Sequence, residues 1–407
     1  MRFHAAPPAG EWLNDPNGLV FAGGRYRLFA QHSGAAPDFT AIGWARFSSD
    51  DLLSWDFDGV VIPADATGFA YSGSVQSLPG GDLAAYLTRH RADGQPRQRQ
   101  FRLISSDHGL TWVQDALPVG PSGDNVRDPF VWCAENGDRR MIVAEPCDWH
   151  AWQTTAPSRL SLWRQNKSEW EAAGVIDGAP AGVLWEVPAL LDFGAAQVLL
   201  VSCVDRRDGG ADCSVVARIG QFDGARFDEV AAQPLDHGPD FYAAIPNVAA
   251  GWPGEPVIVG WAASWATARQ RVLPGGGHGG PVTLPRTVRL DGDRLRVAPI
   301  AAALPLARAM IPLGAGVTIV GDGVQLTIAR TGTGALAVRR DADDPAQVWA
   351  RTSADAVVSA AEEVTVFIDA GLVELFIAPA GVAVTADVAG ARAIVPGVPA
   401  FPAATPR

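Results

Sequence analysis

The chain has 407 residues, a length that calls for two cores rather than one. Hydrophobic residues make up 48% and no long apolar run occurs, so neither a disordered chain nor a helical membrane span fits. A formal charge of −12, with no stripe of Lys and Arg, argues against a nucleic-acid partner and suits a neutral substrate.

The first residues, Met1 to Pro8, hold no apolar core of a leader. No cleavable signal peptide is expected there, which makes the cytoplasm the expected location, with signal-independent secretion as the alternative. The first feature in the chain is Trp12-Leu13-Asn14-Asp15-Pro16-Asn17-Gly18. Two Asn, an Asp, a Pro and a Gly in seven residues describe a tight polar turn. Standing alone it would be only a loop. With Trp12 as a wall and Asp15 fixed between Asn14 and Pro16, it offers the rigid, accessible carboxylate that a glycosidase nucleophile requires.

Short β-type runs separated by Gly, Pro, Asp and Asn follow, among them Met141-Ile142-Val143-Ala144, Val198-Leu199-Leu200-Val201 and Val257-Ile258-Val259. Convincing helices are absent, which predicts an all-β sandwich, barrel or propeller. A weak repeat favours the propeller. Ser-Ser-Asp-Asp-Leu-Leu-Ser-Trp (48–55), Ser-Ser-Asp-His-Gly-Leu-Thr-Trp (105–112) and Arg-Gln-Asn-Lys-Ser-Glu-Trp (164–170) each place a polar turn before a Trp able to plug a blade. Phe222 to Phe227 reads as a further copy with Phe in place of Trp.

Two more acidic residues stand in unusual settings. In Asn125-Val126-Arg127-Asp128-Pro129 the Arg–Asp pair precedes the apolar run Phe130-Val131-Trp132, at the mouth of an expected inner strand. Asp128 can there accept hydrogen bonds from vicinal sugar hydroxyls, with Arg127 holding its carboxylate ionised; the bland alternative is a surface ion pair. In Leu184-Trp185-Glu186-Val187-Pro188 the Glu is flanked by apolar residues. Desolvation and nearby Asp charges favour a protonated carboxyl, as a general acid needs; a Glu capping a strand end is the alternative.

Fourteen Trp against four Tyr are compatible with a few indoles lining a sugar site and the rest filling β cores. Cys133, Cys147, Cys203 and Cys213 have no metal-type or redox-type spacing. Free thiols are expected, with a Cys203–Cys213 bridge across a hairpin as the alternative. No cofactor is expected. Near residue 300 the character changes. The stretch 301–310 is the best helical or linking candidate, and alternating segments at 317–326 and 364–377 predict a second, β-sandwich domain. The domains are therefore drawn as 1–298 and 299–407.

These motifs resemble glycoside hydrolase family 32, the β-fructofuranosidases, invertases and fructan hydrolases. The family's Trp-Met/Leu-Asn-Asp-Pro-Asn-Gly stands at Trp12 to Gly18, its Arg-Asp-Pro at Arg127 to Pro129, and its Trp-Glu-Cys-Pro at Trp185 to Pro188. The resemblance implies a five-bladed propeller followed by a sandwich. It implies Asp15 as nucleophile, Asp128 as transition-state stabiliser and Glu186 as acid/base. It further implies substrate contacts from Asn14, Gln31, Trp44, Tyr71, Ser72, Arg127, Tyr242 and Trp261. Leu284-Pro285-Arg286 resembles the close of the catalytic domain. Phe367-Ile368-Asp369 with Val373-Glu374-Leu375-Phe376 resembles a stretch of the accessory sandwich.

Val187 replaces the family's frequent Cys, and Trp44-Ala45-Arg46-Phe47 stands where Trp-Gly-His-Ala is common, placing Arg46 on the expected leaving-group side; Arg46 and Phe39 are the residues that bear on the choice between sucrose, inulin and levan. The implied reaction is hydrolysis of terminal β-fructofuranosyl units of sucrose or a fructan, with a small-molecule or oligosaccharide partner and no nucleic acid or membrane. A fructosyltransferase on the same residues and a non-catalytic fructan-binding protein are the alternatives. Oligomeric state is left open by the sequence.

Overall fold

The computed structural model describes residue 1 and residues 3–134, 137–207, 210–247 and 252–397. Its regular structure is β throughout, apart from three short 3-10 turns among the described residues, Ala268–Gln270, Ala301–Leu306 and Pro345–Gln347. Five sheets form the blades of a propeller and two more form a sandwich, which is the all-β architecture expected.

Each blade is an antiparallel meander that starts on the axis. The inner strands are Trp12–Ala22 in blade I, Phe69–Ser77 in blade II, Arg127–Cys133 in blade III, Val183–Asp192 in blade IV and Tyr242–Pro246 in blade V. The ring is closed by a segment of blade V. His278–Gly279 pairs in parallel with Trp12 and Leu13, and Val282 donates its N–H to the Ala5 carbonyl at 2.8 Å.

The repeated turn falls at one place in four successive blades, between the third strand and the outermost one. In two of them the closing Trp packs against the preceding blade: Trp112 meets Phe29 edge-on at 5.7 Å and Trp170 meets Tyr86 at 6.3 Å. In the fourth turn it is Phe222, at its start, that meets Trp132 of the preceding blade, at 5.6 Å. The repeat therefore records the seams between blades, which is where a radial fold must bury its apolar sheet faces.

Blade V ends with the strand Arg294–Pro299, and the first sandwich strand is Ala309–Pro312. The segment between them makes only the 3-10 turn Ala301–Leu306, with Pro305 inside it. A proline at that point removes a donor and blocks extension into an α-helix. The sandwich packs Ala309–Pro312, Glu363–Asp369, Leu372–Ala378 and Val382–Asp387 against a five-stranded sheet around its own apolar core.

Propeller and sandwich are joined by a buried charged network. His4 bonds Asp369 and Glu374, each at 2.8 Å. Arg286 donates to Asp236 at 2.7 Å and to Glu374 at 2.6 Å, and the Thr385 hydroxyl donates to Asp236 at 2.7 Å. Arg340 pairs with Asp240 across the same seam. A Cβ on Gly238 would lie 2.0 Å from the Thr385 carbonyl, so glycine is required where the two domains touch. All four cysteines are free. Strand register sets Cys203 opposite Ser214 and Cys213 opposite Val204, which puts the two thiols on opposite faces of one sheet.

Candidate active site

Every inner strand is interrupted by a bulge. Register shifts fall between Leu13, Pro16 and Gly18 in blade I, between Ala70 and Gly73 in II, between Arg127 and Phe130 in III, between Glu186 and Ala189 in IV, and between Tyr242 and Ile245 in V. A bulge bends a strand and re-aims its side chains. The segment read as a free-standing turn, Trp12 to Gly18, is thus a bulged strand start, because a bulge draws on the same residue types as a turn. Gly73 is needed in blade II, where a Cβ would meet the Tyr86 carbonyl at 1.9 Å.

The five bulges meet. The Ser72 hydroxyl of blade II donates to Asp15 Oδ2 of blade I at 2.8 Å. The Val187 N–H of blade IV donates to Asp128 Oδ2 of blade III at 3.0 Å. The Tyr242 hydroxyl of blade V donates to Glu186 Oε2 of blade IV at 2.6 Å. One polar site at the end of the axis therefore takes a residue from every blade. Three of the residues that shape it hold positive φ without being glycine: Asp128 at 62°, Val187 at 44° and Ala243 at 51°. Such conformations persist only where the surroundings over-determine them.

Asp15 and Asp128 are 7% and 5% exposed, and they feel the charge of Glu186. Burial pushes Asp15 up to about 6 against the opposing Ser72 bond, with the Glu186 charge adding to the rise. Burial pushes Asp128 up to about 7, opposed by the Arg127 charge and assisted by that of Glu186. Asp15 Oδ1 is buried without a hydrogen-bond partner. Tyr242 is driven well above its usual value, first by burial and then by Glu186, so its phenol stays a donor.

Arg127 does not clasp Asp128 as its adjacency suggested. Its Nη2 and Nε donate to Glu186 Oε1, at 2.6 and 3.1 Å. The reason is the bulge: neighbours in a strand point to opposite faces, and Asp128 in the left-handed region turns its carboxylate to Val187 instead. Glu186 in turn is not enclosed by Trp185 and Val187. Its side chain is 13% exposed and faces Arg127 and Tyr242.

Of the remaining expected residues, Asn14, Gln31, Trp44 and Trp261 are buried, so they back the site rather than line it. Trp12 Nε1 donates to Asn14 Oδ1 at 2.8 Å, and Asn14 Nδ2 donates to Gln31 Oε1 at 2.5 Å. Trp44 is fully buried and supports the site from behind, its Nε1 donating to the Tyr71 carbonyl at 3.1 Å. Trp261 is fully buried beside Trp12, at 6.2 Å. Arg46 is a correction. It is buried in a bond to Asp58 at 2.9 Å and to the His108 carbonyl at 2.8 Å, two residues along the strand from Trp44 toward the far end of the blade. Phe39 lies on the rim, against Tyr71 at 5.7 Å and Trp265 at 5.3 Å.

Trp265 and His90 were missed in the sequence. Trp265 stacks on Trp12 at 6.4 Å with a 17° tilt, and His90 lies parallel to Tyr71 at 4.6 Å. The recurrence of Trp four residues after Trp261 was the available signal for the first; the second had none. Among the described residues no group of His, Cys, Asp and Glu is arranged to hold a metal ion.

Fold and site together define a five-bladed propeller with a cluster of acidic side chains at the end of its axis. The model of the glycosyl hydrolases family 32 N-terminal domain matches residues 4–299, and the chain belongs to that family. The extracellular exo-inulinase of Aspergillus niger is 28% identical over 322 residues, 65% of this chain and 57% of that protein. The sucrose-6-phosphate hydrolase of Zymomonas mobilis is 28% identical over 323 residues, 73% of this chain and 61% of that one. The chain spans about three-fifths of the length of these curated relatives. A solved Bombyx mori GH32 beta-fructofuranosidase shares the fold, with a TM-score of 0.76 at 21% identity over 96% of this chain and 89% of that one.

Proposed function

We propose that the chain is a retaining β-fructofuranosidase that releases terminal fructosyl units from sucrose or a fructan. The observation that carries this reading is the convergence of Asp15, Asp128 and Glu186 at the end of the propeller axis, each fixed by a bond from a neighbouring blade. Family membership supports it, as do relatives named for exo-inulinase and sucrose-6-phosphate hydrolase activity.

In the proposed reaction Asp15 Oδ1 forms a bond to the anomeric carbon as the glycosidic C–O bond breaks, and Glu186 gives its proton to the departing oxygen. Glu186, now a base held by Arg127 and Tyr242, takes a proton from water, which attacks the anomeric carbon and frees Asp15. Asp128 accepts hydrogen bonds from ring hydroxyls that tighten as positive charge develops.

Product analysis after separate incubation with sucrose, inulin and levan tests the reading, with Glu186→Gln alongside. Free fructose from at least one substrate, lost in the variant, is the expected result. Oligosaccharides with little free fructose would make the protein a transferase, and no product from any of the three would remove the catalytic reading.

A further inference from the structure

Blade II turns a buried polar face toward blade III. Thr88 and Gln100 are wholly buried and Gln98 is 3% exposed; they form the cross-strand pairs Thr88–Gln100 and His90–Gln98. The Thr88 hydroxyl donates to Gln100 Oε1 at 2.6 Å, and Gln100 Nε2 donates to the Val126 carbonyl at 2.8 Å. Gln98 Oε1 accepts the Val126 N–H at 2.7 Å, and Thr88 Oγ1 accepts the Asp128 N–H at 3.0 Å. Gln98 Nε2 reaches His90 Nδ1 at 3.4 Å, and the His90 ring lies within 4° of parallel to Tyr71. Both ends of each glutamine amide are used, so neither can flip without losing a bond.

Polar side chains at core positions cost stability unless bonded, and these bonds converge on one short stretch of backbone. Blade III cannot hold that stretch by itself. Its ladder is made at Arg127 and resumes only at Phe130, which leaves the Asp128 N–H to be satisfied from outside. Asp128 also carries φ of 62°, a conformation that needs external bracing.

We propose that Thr88, Gln98 and Gln100 are positioning residues that set the direction of the Asp128 carboxylate from the neighbouring blade. The inference rests on the assignment of Asp128 to the reaction.

The test compares Thr88→Val, which keeps the shape and removes both hydroxyl bonds, with Thr88→Ser, which keeps them. On whichever fructoside the wild type cleaves, Thr88→Val lowers kcat by about 10- to 100-fold, leaves KM within a few-fold, and does not unfold the protein. Thr88→Ser restores most of the rate. Amide hydrogen exchange gives a readout that needs no substrate: the Asp128 N–H exchanges faster in Thr88→Val than in wild type or Thr88→Ser. If Thr88→Val does not fold, Gln98→Met takes its place, read at the Val126 N–H and in kcat. A wild-type kcat in the Val variant, equal loss in both variants, or unchanged exchange at Asp128 would overturn the proposal. If the wild type cleaves no fructoside, the functional reading fails and the exchange comparison alone decides the clamp.

Discussion

The Val187 N–H donates to Asp128 Oδ2 at 3.0 Å, tying the residue after Glu186 on blade IV to the carboxylate on blade III. Both residues hold positive φ, so each strained bulge is braced by the other. The relative position of Glu186 and Asp128 is therefore set by a bond between blades. Misplacement of about 1 Å in such a site costs about 100-fold in rate, which makes these cross-blade bonds the first place to look for effects on activity.

Tyr242→Phe removes the hydroxyl that reaches Glu186 Oε2 at 2.6 Å and leaves the ring in place. The expected outcome is a fall in kcat of about 10- to 100-fold with little change in melting temperature. Steady-state kinetics beside a thermal melt check it. An unchanged kcat would remove Tyr242 from the machinery.

The acid limb of kcat/KM follows the free enzyme. The nucleophile must be ionised, and Asp15 and Asp128 sit at about 6 and about 7 in a pocket where they influence each other. Activity on a neutral substrate is expected to rise with pH across roughly 5 to 8, as a property of the coupled carboxyls rather than of one. A limb confined to pH below about 5 would mean that both carboxyls titrate as ordinary ones.

The same two groups bear on stability. Asp128 has its folded-state value raised above its ordinary 3.8, so the folded form is favoured most below that pH and loses stability as pH rises through about 7. Asp128→Asn abolishes the charge. It is expected to be more stable than wild type at pH 8, by about 2–4 kcal/mol, and no more stable near pH 4. Denaturant melts at the two pH values distinguish this from a pH-independent effect.

At the domain seam the sign reverses. Burial alone would raise Asp236 and Glu374, but the Arg286 charge holds both below the usual carboxylate range. Their contribution is present above the unfolded-state values and is lost as pH falls below about 4. Arg286→Leu removes the cation that Asp236 and Glu374 share, leaving them only their bonds to Thr385, Gly238, Leu284 and His4, and is expected to cost about 3–5 kcal/mol. Differential scanning calorimetry should show a lowered transition at pH 7 and a smaller difference in acid.

The three carboxylates of the candidate site were legible in the sequence. Asp15, Asp128 and Glu186 stood out because each carboxylate sits in a polar turn, before a proline or between apolar neighbours. The four polar turns ending on Trp55, Trp112, Trp170 and Phe227 were legible because the third-to-outermost hairpin recurs in each of four blades.

Relations between blades were hidden. Ser72 and Asp15 lie 57 residues apart, and His4 and Glu374 lie 370 apart, so no local pattern announces either pair. Arg127 was assigned to its neighbour Asp128 because adjacency is all a sequence offers, whereas the bulge hands it to Glu186, 59 residues away. Arg46 was placed by its position in a motif resemblance, which does not show which end of a strand meets the axis.

The most direct measurement of the central claim is the intact mass of Glu186→Ala after brief exposure to a fructofuranosyl donor whose leaving group needs no protonation. Without Glu186 as base the second step slows more than the first, so a covalent intermediate is expected to accumulate. A single added fructosyl unit is expected, located by peptide mapping on Asp15 and absent from the double variant with Asp15→Asn. An adduct on another residue, or steady release of fructose by the Asp15→Asn enzyme, would contradict it.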